Sequence, residues 1–335
     1  MTYRRVEQVM GLPISLALRG RHAGGTRADD AWAAAVTFLR GVDRVFSTYR
    51  PDSAISRLGR GEIEVGECPP EVAEVLAIAE TARVDSGGAF DVRRTGPDGA
   101  PVLDTDGVVK GWAIQRAARA FADLEDTDVC LSGGGDMVCR LADPGGEPWR
   151  IGIEDPRHPS RILAVLPLGN GAVATSGTAH RGRHIVDART GAHPRGVAAI
   201  TVVATELTWA DIDATAAFAM GRDGLAWLRT RPGRAGVVVW ADGSTDTYAT
   251  PAKPSVAPVV DGVLGRRRVG TAHRPLHGLV GRGTQPARDL VQQTHGDEVP
   301  GTTGAMRPDH ARTRVAESDP SSASASALRE PGSAR

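Results

Sequence analysis

Apolar residues recur at helical spacing in five stretches of the chain. The clearest stretch covers residues 28–45, where Asp29 and Asp30 open the first turn and apolar residues follow at intervals of three and four. Residues 69–84 show the same pattern, with proline in the first turn and two glycines just beyond the end. We predict helices over residues 28–45, 69–84, 111–123, 210–220 and 224–229.

Short runs rich in β-branched residues lie between these helices and predict strands. The predicted strands are residues 8–18, 129–132, 149–154, 162–168, 172–176, 199–204, 237–241 and 244–249. Asp242-Gly243 separates the last two strands and is a strong hairpin signal. Because helices and strands do not alternate in strict βαβ order, we predict an α+β fold, a mixed-sheet domain with packed helices, rather than a doubly wound parallel sheet.

Aromatic residues divide the chain in two. All fourteen Phe, Trp and Tyr residues lie at or before Tyr248, whereas residues 251–335 hold 9 of the 22 prolines. A segment without aromatic residues cannot bury enough apolar surface to offset the entropy of ordering it. We therefore expect a folded domain over residues 1–250 and a low-complexity, disordered tail over residues 251–335.

The charge balance, the hydropathy and the cysteine content argue against several classes of protein. Lys and Arg number 40 and Asp and Glu number 40, a balance that argues against binding nucleic acid or an anionic membrane. No apolar run approaches the roughly 20 residues that cross a bilayer, and the N-terminal residues do not resemble a secretory signal. Cys68, Cys130 and Cys139 form neither a disulfide framework nor a CxxC motif. We expect a cytoplasmic protein with no nucleic-acid partner and no membrane insertion.

One glycine motif imitates a nucleotide-binding site. Residues 168–174 contain GxGxxA behind a predicted strand, which formally matches a dinucleotide-binding fingerprint. That fingerprint requires a helix to begin at the motif, and the following Val-Ala-Thr-Ser-Gly-Thr is a poor helix start. We predict a tight turn between two strands, which argues against hydride transfer on a Rossmann fold.

Lys110 is the only lysine before residue 253, and it precedes Gly111 where the third helix is predicted to begin. An ammonium group and free backbone N–H groups at a helix start can bind an anion. An ordinary surface lysine beside a helix cap is an equally good interpretation of these residues alone.

Asp211 and Thr215 lie one turn apart at the predicted start of the fourth helix. A carboxylate and a hydroxyl on one helical face suit a hard cation such as Mg²⁺. The alternative, that Asp211 caps the helix and Thr215 faces the core, is favoured when the pair is considered alone.

His184 and Asp187 follow a Thr-Ser-Gly segment that ends at Gly177. This histidine is a candidate general base or phosphate ligand, and a structural His–Asp contact is at least as good an interpretation. The glycine-rich residues 132–136 follow a strand but lack the GK[ST] ending of a phosphate-binding loop.

Nine motifs taken together carry more information than any one of them. In chain order they are Met10-Gly11 and residues 46–58, 88–91, 107–111, 132–136, 149–156, 174–177, 184–187 and 210–215. Their order and spacing resemble the ApbE-like FAD:protein FMN transferases over roughly residues 6–250.

The resemblance implies an α+β enzyme with FAD as substrate and Mg²⁺ as cofactor. It would move the FMN part of FAD onto a Ser or Thr hydroxyl of an acceptor flavoprotein and release AMP. The family pattern assigns Mg²⁺ to the backbone carbonyl of Gly107, the carboxylate of Asp211 and the hydroxyl of Thr215. The catalytic residues would be Asp211, Lys110, which neutralises the pyrophosphate, and His184, which orients a phosphate or deprotonates the attacking hydroxyl.

Further positions match residues that contact FAD in the family. They are Met10, Tyr49, Ala89, Phe90, Asp91, Asp104, Lys110 and Ile185. Two alternatives stay open, namely an FAD pyrophosphatase of the same fold and a non-catalytic flavin-binding protein. The intact set of Lys110, Asp211 and Thr215 argues against the second alternative.

Overall fold

A computed structural model describes residues 2–95, 99, 101–179, 182 and 184–252. The predicted tail, residues 251–335, lies outside the described residues except for its first two positions. Its disorder and the domain boundary near residue 250 therefore stay predictions.

Within the described residues, α-helices form at all five predicted places and at one more. The helices are α1 (Thr26–Phe46), α2 (Ala54–Gly59), α3 (Pro70–Asp85), α4 (Asp106–Ala117), α5 (Leu207–Ala219) and α6 (Gly224–Leu228). The additional helix is the short α2, where the Ser53 hydroxyl accepts a hydrogen bond from the Ser56 N–H at 3.1 Å and caps the first turn.

Both helices that carry candidate site residues begin earlier than predicted. Helix α4 begins at Asp106, whose backbone N–H donates to the Asp104 carboxylate at 3.1 Å. Helix α5 begins at Leu207, whose N–H donates to the side-chain oxygen of Gln115 at 2.6 Å. The second cap comes from a residue far away in the chain, so the local pattern gave no sign of it.

Twelve strands occur in the described residues. They are β1 (Tyr3–Val9), β2 (Leu12–Gly20), β3 (Arg93–Thr95), β4 (Pro101–Leu103), β5 (Thr127–Gly133), β6 (Asp136–Arg140), β7 (Trp149–Asp155), β8 (His158–Leu168), β9 (Gly171–Gly177), β10 (Val197–Ala204), β11 (Ala235–Trp240) and β12 (Thr245–Ala249). Eight of them form one sheet in the order β1-β2-β5-β6-β9-β10-β11-β12, and every pairing in it is antiparallel. The α+β prediction is confirmed.

The prediction of one strand over residues 8–18 is wrong. The chain reverses at Met10 and Gly11, whose φ angles of 57° and 67° match a type I′ hairpin turn between β1 and β2. Strands β3, β4 and β6 were also missed. The first two have only three residues each, and β6 directly follows a glycine-rich segment that resembles a turn. The tight turn predicted within residues 168–174 is confirmed, since residues 169–170 join β8 to β9 and no helix follows them.

The large sheet has two covered faces. Alternate residues such as Leu131 and Ile200 face the core shared with α1, α3, α4 and α5. On the opposite face, Val173 and Val237 pack in a smaller cluster with the β7–β8 hairpin. In the part of the chain that is described, no helix is long and apolar enough to span a membrane.

Helices α4 and α5 approach closely at Gly111, which faces α5. A Cβ on Gly111 would lie 2.8 Å from Asp211 Cβ and 2.9 Å from the Leu207 carbonyl oxygen. Real side-chain carbons do not approach so closely, so these two helices can pack at this distance only with glycine at position 111.

Replacing Gly111 by alanine should therefore separate α4 from α5. We expect Gly111→Ala to lower the free energy of unfolding by about 1–3 kcal/mol, measured by urea denaturation. The matched control is Gly41→Ala in α1, where the nearest atom to a new Cβ is 3.8 Å away. That control should gain about 0.5–1 kcal/mol, so equal effects of the two substitutions would contradict the packing argument.

Candidate active site

Lys110 lies in α4 between two carboxylates that come from distant parts of the chain. Its Nζ forms ion pairs with Asp136, at the start of β6, and with Oδ1 of Asp211 in α5, the latter at 3.1 Å. The side chains of Asp136 and Asp211 are 1% and 2% exposed. One ammonium group is thus shared by two buried carboxylates, and with all three groups ionised the cluster carries a net negative charge.

Backbone groups of other segments hold both carboxylates in place. Asp136 Oδ1 accepts a hydrogen bond from the Thr175 N–H of β9 at 2.9 Å. Asp211 Oδ2 accepts one from the Gly111 N–H of α4 at 3.0 Å. Each carboxylate therefore has a fixed orientation toward Lys110, which is the condition under which buried charges are tolerated.

The electrostatics of the cluster follow from burial and from the unequal number of charges. Burial raises the pKa of Asp211 to about 7, and the nearby Asp136 acts in the same direction, while Lys110 acts against both. For Lys110, burial acts to lower the pKa, but Asp211 and Asp136 outweigh it and hold the pKa above its ordinary value. The lysine is therefore a permanent cation at neutral pH.

Thr215 lies one helical turn beyond Asp211, on the side of α5 that faces Gly107. Its hydroxyl is 3.1 Å from the Ser176 hydroxyl of β9. A Cβ built on Gly107 would lie 3.9 Å from the Thr215 methyl carbon and 2.9 Å from the ring of Phe90. The structure therefore brings together the predicted site residues Lys110, Asp211, Thr215, Gly107 and Phe90.

The interpretations of Asp211 as a helix cap and of Lys110 as an ordinary surface lysine are both wrong. Asp211 is not a helix cap, because α5 begins at Leu207 and the carboxylate contacts Lys110 and the Gly111 N–H. Lys110 is not an ordinary surface lysine at a helix start, because it lies in the second turn of α4 and is paired twice.

The segment at residues 89–91 lies beside the loop that follows β9. The Ala188 N–H donates to the Ala89 carbonyl oxygen at 3.1 Å. Ile185, in the same loop, packs on the main core, and its carbonyl oxygen is 3.1 Å from His193 Nδ1. These contacts place Ala89 next to the loop carrying Ile185, and Phe90 next to Gly107.

The remaining predicted site residues lie at or near the surface. Tyr49 is 92% exposed, and Met10 lies in the β1–β2 turn. Asp104 forms an ion pair with Arg94 besides accepting from the first N–H of α4. The Asp91 carboxylate accepts from the Arg93 N–H at 2.8 Å, and the exposed ring of His184 has its Nδ1 3.2 Å from the Gly182 carbonyl oxygen.

Asp136 is the site residue that the sequence interpretation missed. It ends a glycine-rich segment that resembles an ordinary turn, and its partner Lys110 is 26 positions earlier in the chain. The sequence did contain one indication of a buried role for Asp136. It is followed by the apolar residues Met, Val and Cys, with which it forms the start of a strand. A lone carboxylate at the start of an apolar strand needs a buried partner.

Comparison with known proteins identifies relatives of this chain. The sequence model of the ApbE family matches residues 10–97 and 93–239. An FAD:protein FMN transferase of Rhodobacter capsulatus is 30% identical over 212 residues, which are 58% of this chain and 40% of the relative. One of Haemophilus influenzae is 29% identical over 133 residues, 36% of this chain and 38% of the relative. The chain thus spans about two fifths of the curated relatives it matches.

Solved structures share the fold. The crystal structure of the ApbE protein of Thermotoga maritima matches with a TM-score of 0.63 at 22% identity, covering 74% of this chain and 97% of that one. The apo flavinyl transferase ApbE of Pseudomonas stutzeri matches with a TM-score of 0.62 at 24% identity, covering 75% and 94%.

The fold and the site together define the class of protein. It is an α+β protein in which two helices and an antiparallel sheet surround a lysine that is shared by two carboxylates. The family follows from the match over most of the folded region. The chain belongs to the ApbE family.

Removing the Lys110 ammonium group should destabilise the folded state, because the two buried carboxylates lose their opposite charge. We expect Lys110→Met to lower the free energy of unfolding by about 3–5 kcal/mol, because it leaves both buried charges uncompensated. Adding Asp136→Asn should recover part of that loss, since Asn can still accept from the Thr175 N–H. Urea denaturation of the two single variants and the double variant measures the coupling.

The control for this cycle is Arg40→Met, which breaks the solvent-exposed ion pair with Glu7. It should change the free energy of unfolding by about 0–1 kcal/mol. If Lys110→Met were as mild as this control, or if Asp136→Asn gave no recovery, the shared-ammonium description would be wrong.

Proposed function

We propose that this protein is an Mg²⁺-dependent FAD:protein FMN transferase. It transfers the FMN part of FAD to a Ser or Thr hydroxyl of an acceptor protein and releases AMP. Membership of the ApbE family and relatives that bear this name support the proposal. The observation that carries it is the convergence of Lys110, Asp211 and Thr215 beside Gly107 and Phe90.

The proposed reaction is a displacement at the phosphorus atom of the FMN half. The acceptor hydroxyl oxygen forms a bond to that phosphorus, and the bond from the phosphorus to the bridging pyrophosphate oxygen breaks. AMP leaves with the bridging oxygen, and the hydroxyl gives up its proton. Such a displacement depends chiefly on positioning and on neutralising charge, so a fixed cation is the main requirement.

The residues present suit a magnesium ion. Gly107 would supply a carbonyl oxygen, Asp211 a carboxylate and Thr215 a hydroxyl, all of them hard oxygen donors. A Cβ built on Gly107 of α4 would lie 3.9 Å from the Thr215 methyl carbon of α5, so the two residues are neighbours. When Asp211 is ionised, the two carboxylates exceed the one ammonium group, and the cluster then favours an added cation. When bound, Mg²⁺ would neutralise pyrophosphate charge and orient the phosphates.

The proposed donor set contains one carboxylate, that of Asp211. Within the described residues, no group of three or more His, Cys, Asp or Glu side chains is arranged to hold a metal. A magnesium ion that binds between protein and substrate needs few carboxylates, because substrate phosphates and water complete its octahedron.

Lys110 is proposed to contact the pyrophosphate of FAD. Its charge is maintained by Asp136 and Asp211, which also fix the direction of the side chain. An ammonium group held in this way needs no reorganisation as negative charge moves to the leaving AMP. His184 is proposed to orient a phosphate or to accept the proton of the attacking hydroxyl.

The flavin and adenosine contacts are proposals based on the family pattern. Ala89 and Phe90 lie between the Ile185 loop and Gly107, a position suited to one wall of the FAD site. The proposed FAD contacts are Met10, Tyr49, Ala89, Phe90, Asp91, Asp104, Lys110 and Ile185. The exposed Tyr49 ring is available to stack on an aromatic ring of the ligand.

The function is tested by incubating the protein with FAD, Mg²⁺ and candidate acceptor proteins. We expect an acceptor to gain the mass of FMN less one water on a Ser or Thr residue, measured by mass spectrometry, with AMP released in equal amount. AMP release without an acceptor and without protein modification would indicate the pyrophosphatase instead. FAD binding with no Mg²⁺-dependent turnover in any mixture would indicate a flavin-binding protein.

The metal assignment is tested by changing its donors one at a time. Asp211→Asn should raise the Mg²⁺ concentration for half-maximal transfer at least about tenfold, equivalent to about 1.4 kcal/mol of binding free energy, because it removes the charged donor. Thr215→Val should have a smaller effect, since water can replace one neutral ligand. The measurement is the rate of FMN transfer as Mg²⁺ is titrated.

Asp213→Asn is the matched control for this titration. Asp213 is also a buried aspartate of α5, but its carboxylate pairs with Arg234 at 2.6 Å and Arg231 at 3.2 Å. We expect this variant to lose stability and to keep the Mg²⁺ dependence of the unchanged protein. A normal Mg²⁺ dependence in Asp211→Asn would overturn the metal assignment.

A further inference from the structure

Two of the three cysteines meet across a pair of strands. Cys130 in β5 and Cys139 in β6 are register partners, and their Sγ atoms are 3.4 Å apart. Both are free thiols, and the Sδ atom of Met137 is 4.0 Å from Cys130 Sγ. The third cysteine, Cys68, precedes α3 and hydrogen-bonds to the Glu64 carbonyl oxygen.

The position of this pair along the ladder suits a disulfide. The two-residue turn at residues 134–135 is closed by the Gly133–Asp136 pair, which is a hydrogen-bonded pair in such hairpins. Bonded and non-bonded pairs alternate along antiparallel strands, so the third pair after it, Cys130–Cys139, is non-hydrogen-bonded. Opposed Cα atoms at such positions are about 4.5 Å apart, within the range that a disulfide spans.

The surroundings distinguish the two thiols. Cys139 is buried in the cluster beneath the β7–β8 hairpin, and its hydrogen bond to Cys130, together with burial, raises its pKa. Cys130 is half-buried, and the hydrogen bond from Cys139, assisted by Arg19 and Arg4, lowers its pKa. Cys130 is the more accessible sulfur, so it is placed to react first and Cys139 second, and the lowered pKa of Cys130 acts in the same direction.

We propose that Cys130 and Cys139 form a reversible intramolecular disulfide by exchange with a low-molecular-weight disulfide. The Cys130 thiolate attacks one sulfur of the small disulfide, which breaks its S–S bond and releases one small thiol. Cys139 then gives up its proton and attacks Cys130 Sγ, which releases the second small thiol. The protein loses two electrons and two protons, and one small disulfide becomes two thiols.

This modification site is separate from the candidate active site. Asp136, which pairs with Lys110, lies three residues before Cys139 in β6. Because side chains alternate across a strand, the two point to opposite faces of the sheet. The disulfide therefore joins β5 to β6 behind the Lys110 cluster without using any of its residues.

The test uses the full chain incubated with glutathione disulfide, then quenched with an alkylating reagent under denaturing conditions. Before alkylation, we expect the mass of the protein to fall by two hydrogens. The alkylating reagent should then modify one thiol, that of Cys68, and treatment with dithiothreitol should make all three thiols available for alkylation again. Peptide mapping should find Cys130 linked to Cys139.

Single variants separate the two sulfurs. Cys139→Ser should stop at a stable mixed disulfide on Cys130, and Cys139→Ala serves the same purpose if a buried serine impairs folding. Cys68→Ser is the control and should form the disulfide as the unchanged protein does. Three alkylated thiols after oxidation, or glutathione retained on Cys130 in the unchanged protein, would overturn the proposal.

Discussion

The ammonium group of Lys110 is the charge on which the arrangement of α4, α5 and β6 depends. It joins the three elements by pairing with Asp211 and Asp136, both nearly inaccessible to solvent. Burying a carboxylate costs several kcal/mol of solvation, and only a well-oriented opposite charge offsets that cost. When Asp211 is ionised, one negative charge of the cluster has no opposite charge among these three side chains.

Helix α5 shows how the same residue type serves structure and chemistry within one turn. Asp211 and Asp213 are both buried, and their positions two residues apart direct them to different sides of the helix. Asp211 contacts Lys110, whereas Asp213 contacts Arg231 and Arg234. The arginine contacts fix the segment before β11 to the helix, whereas Asp211 contacts the Lys110 cluster.

The two faces of the sheet have different chemistry because strand residues alternate. At the turn between β5 and β6, Asp136 points to the helix face, where it contacts Lys110. On the other face of the same strands, Cys130 and Cys139 lie sulfur to sulfur beneath the β7–β8 hairpin. A redox modification and a charge cluster can thus share one hairpin without sharing a side chain.

The sequence by itself determined the fold class, the helices α1, α3, α4, α5 and α6, and most of the strands. These features follow from local periodicity and turn chemistry. Motif order also indicated Lys110, Asp211 and Thr215. Tertiary structure decided which groups meet. Asp136 pairs with Lys110, and Gln115 caps α5, because packing brings residues together that are distant in the chain. Cys130 faces Cys139 because of the register between β5 and β6. Such contacts depend on how elements pack, and no local pattern of apolar and polar residues encodes that packing.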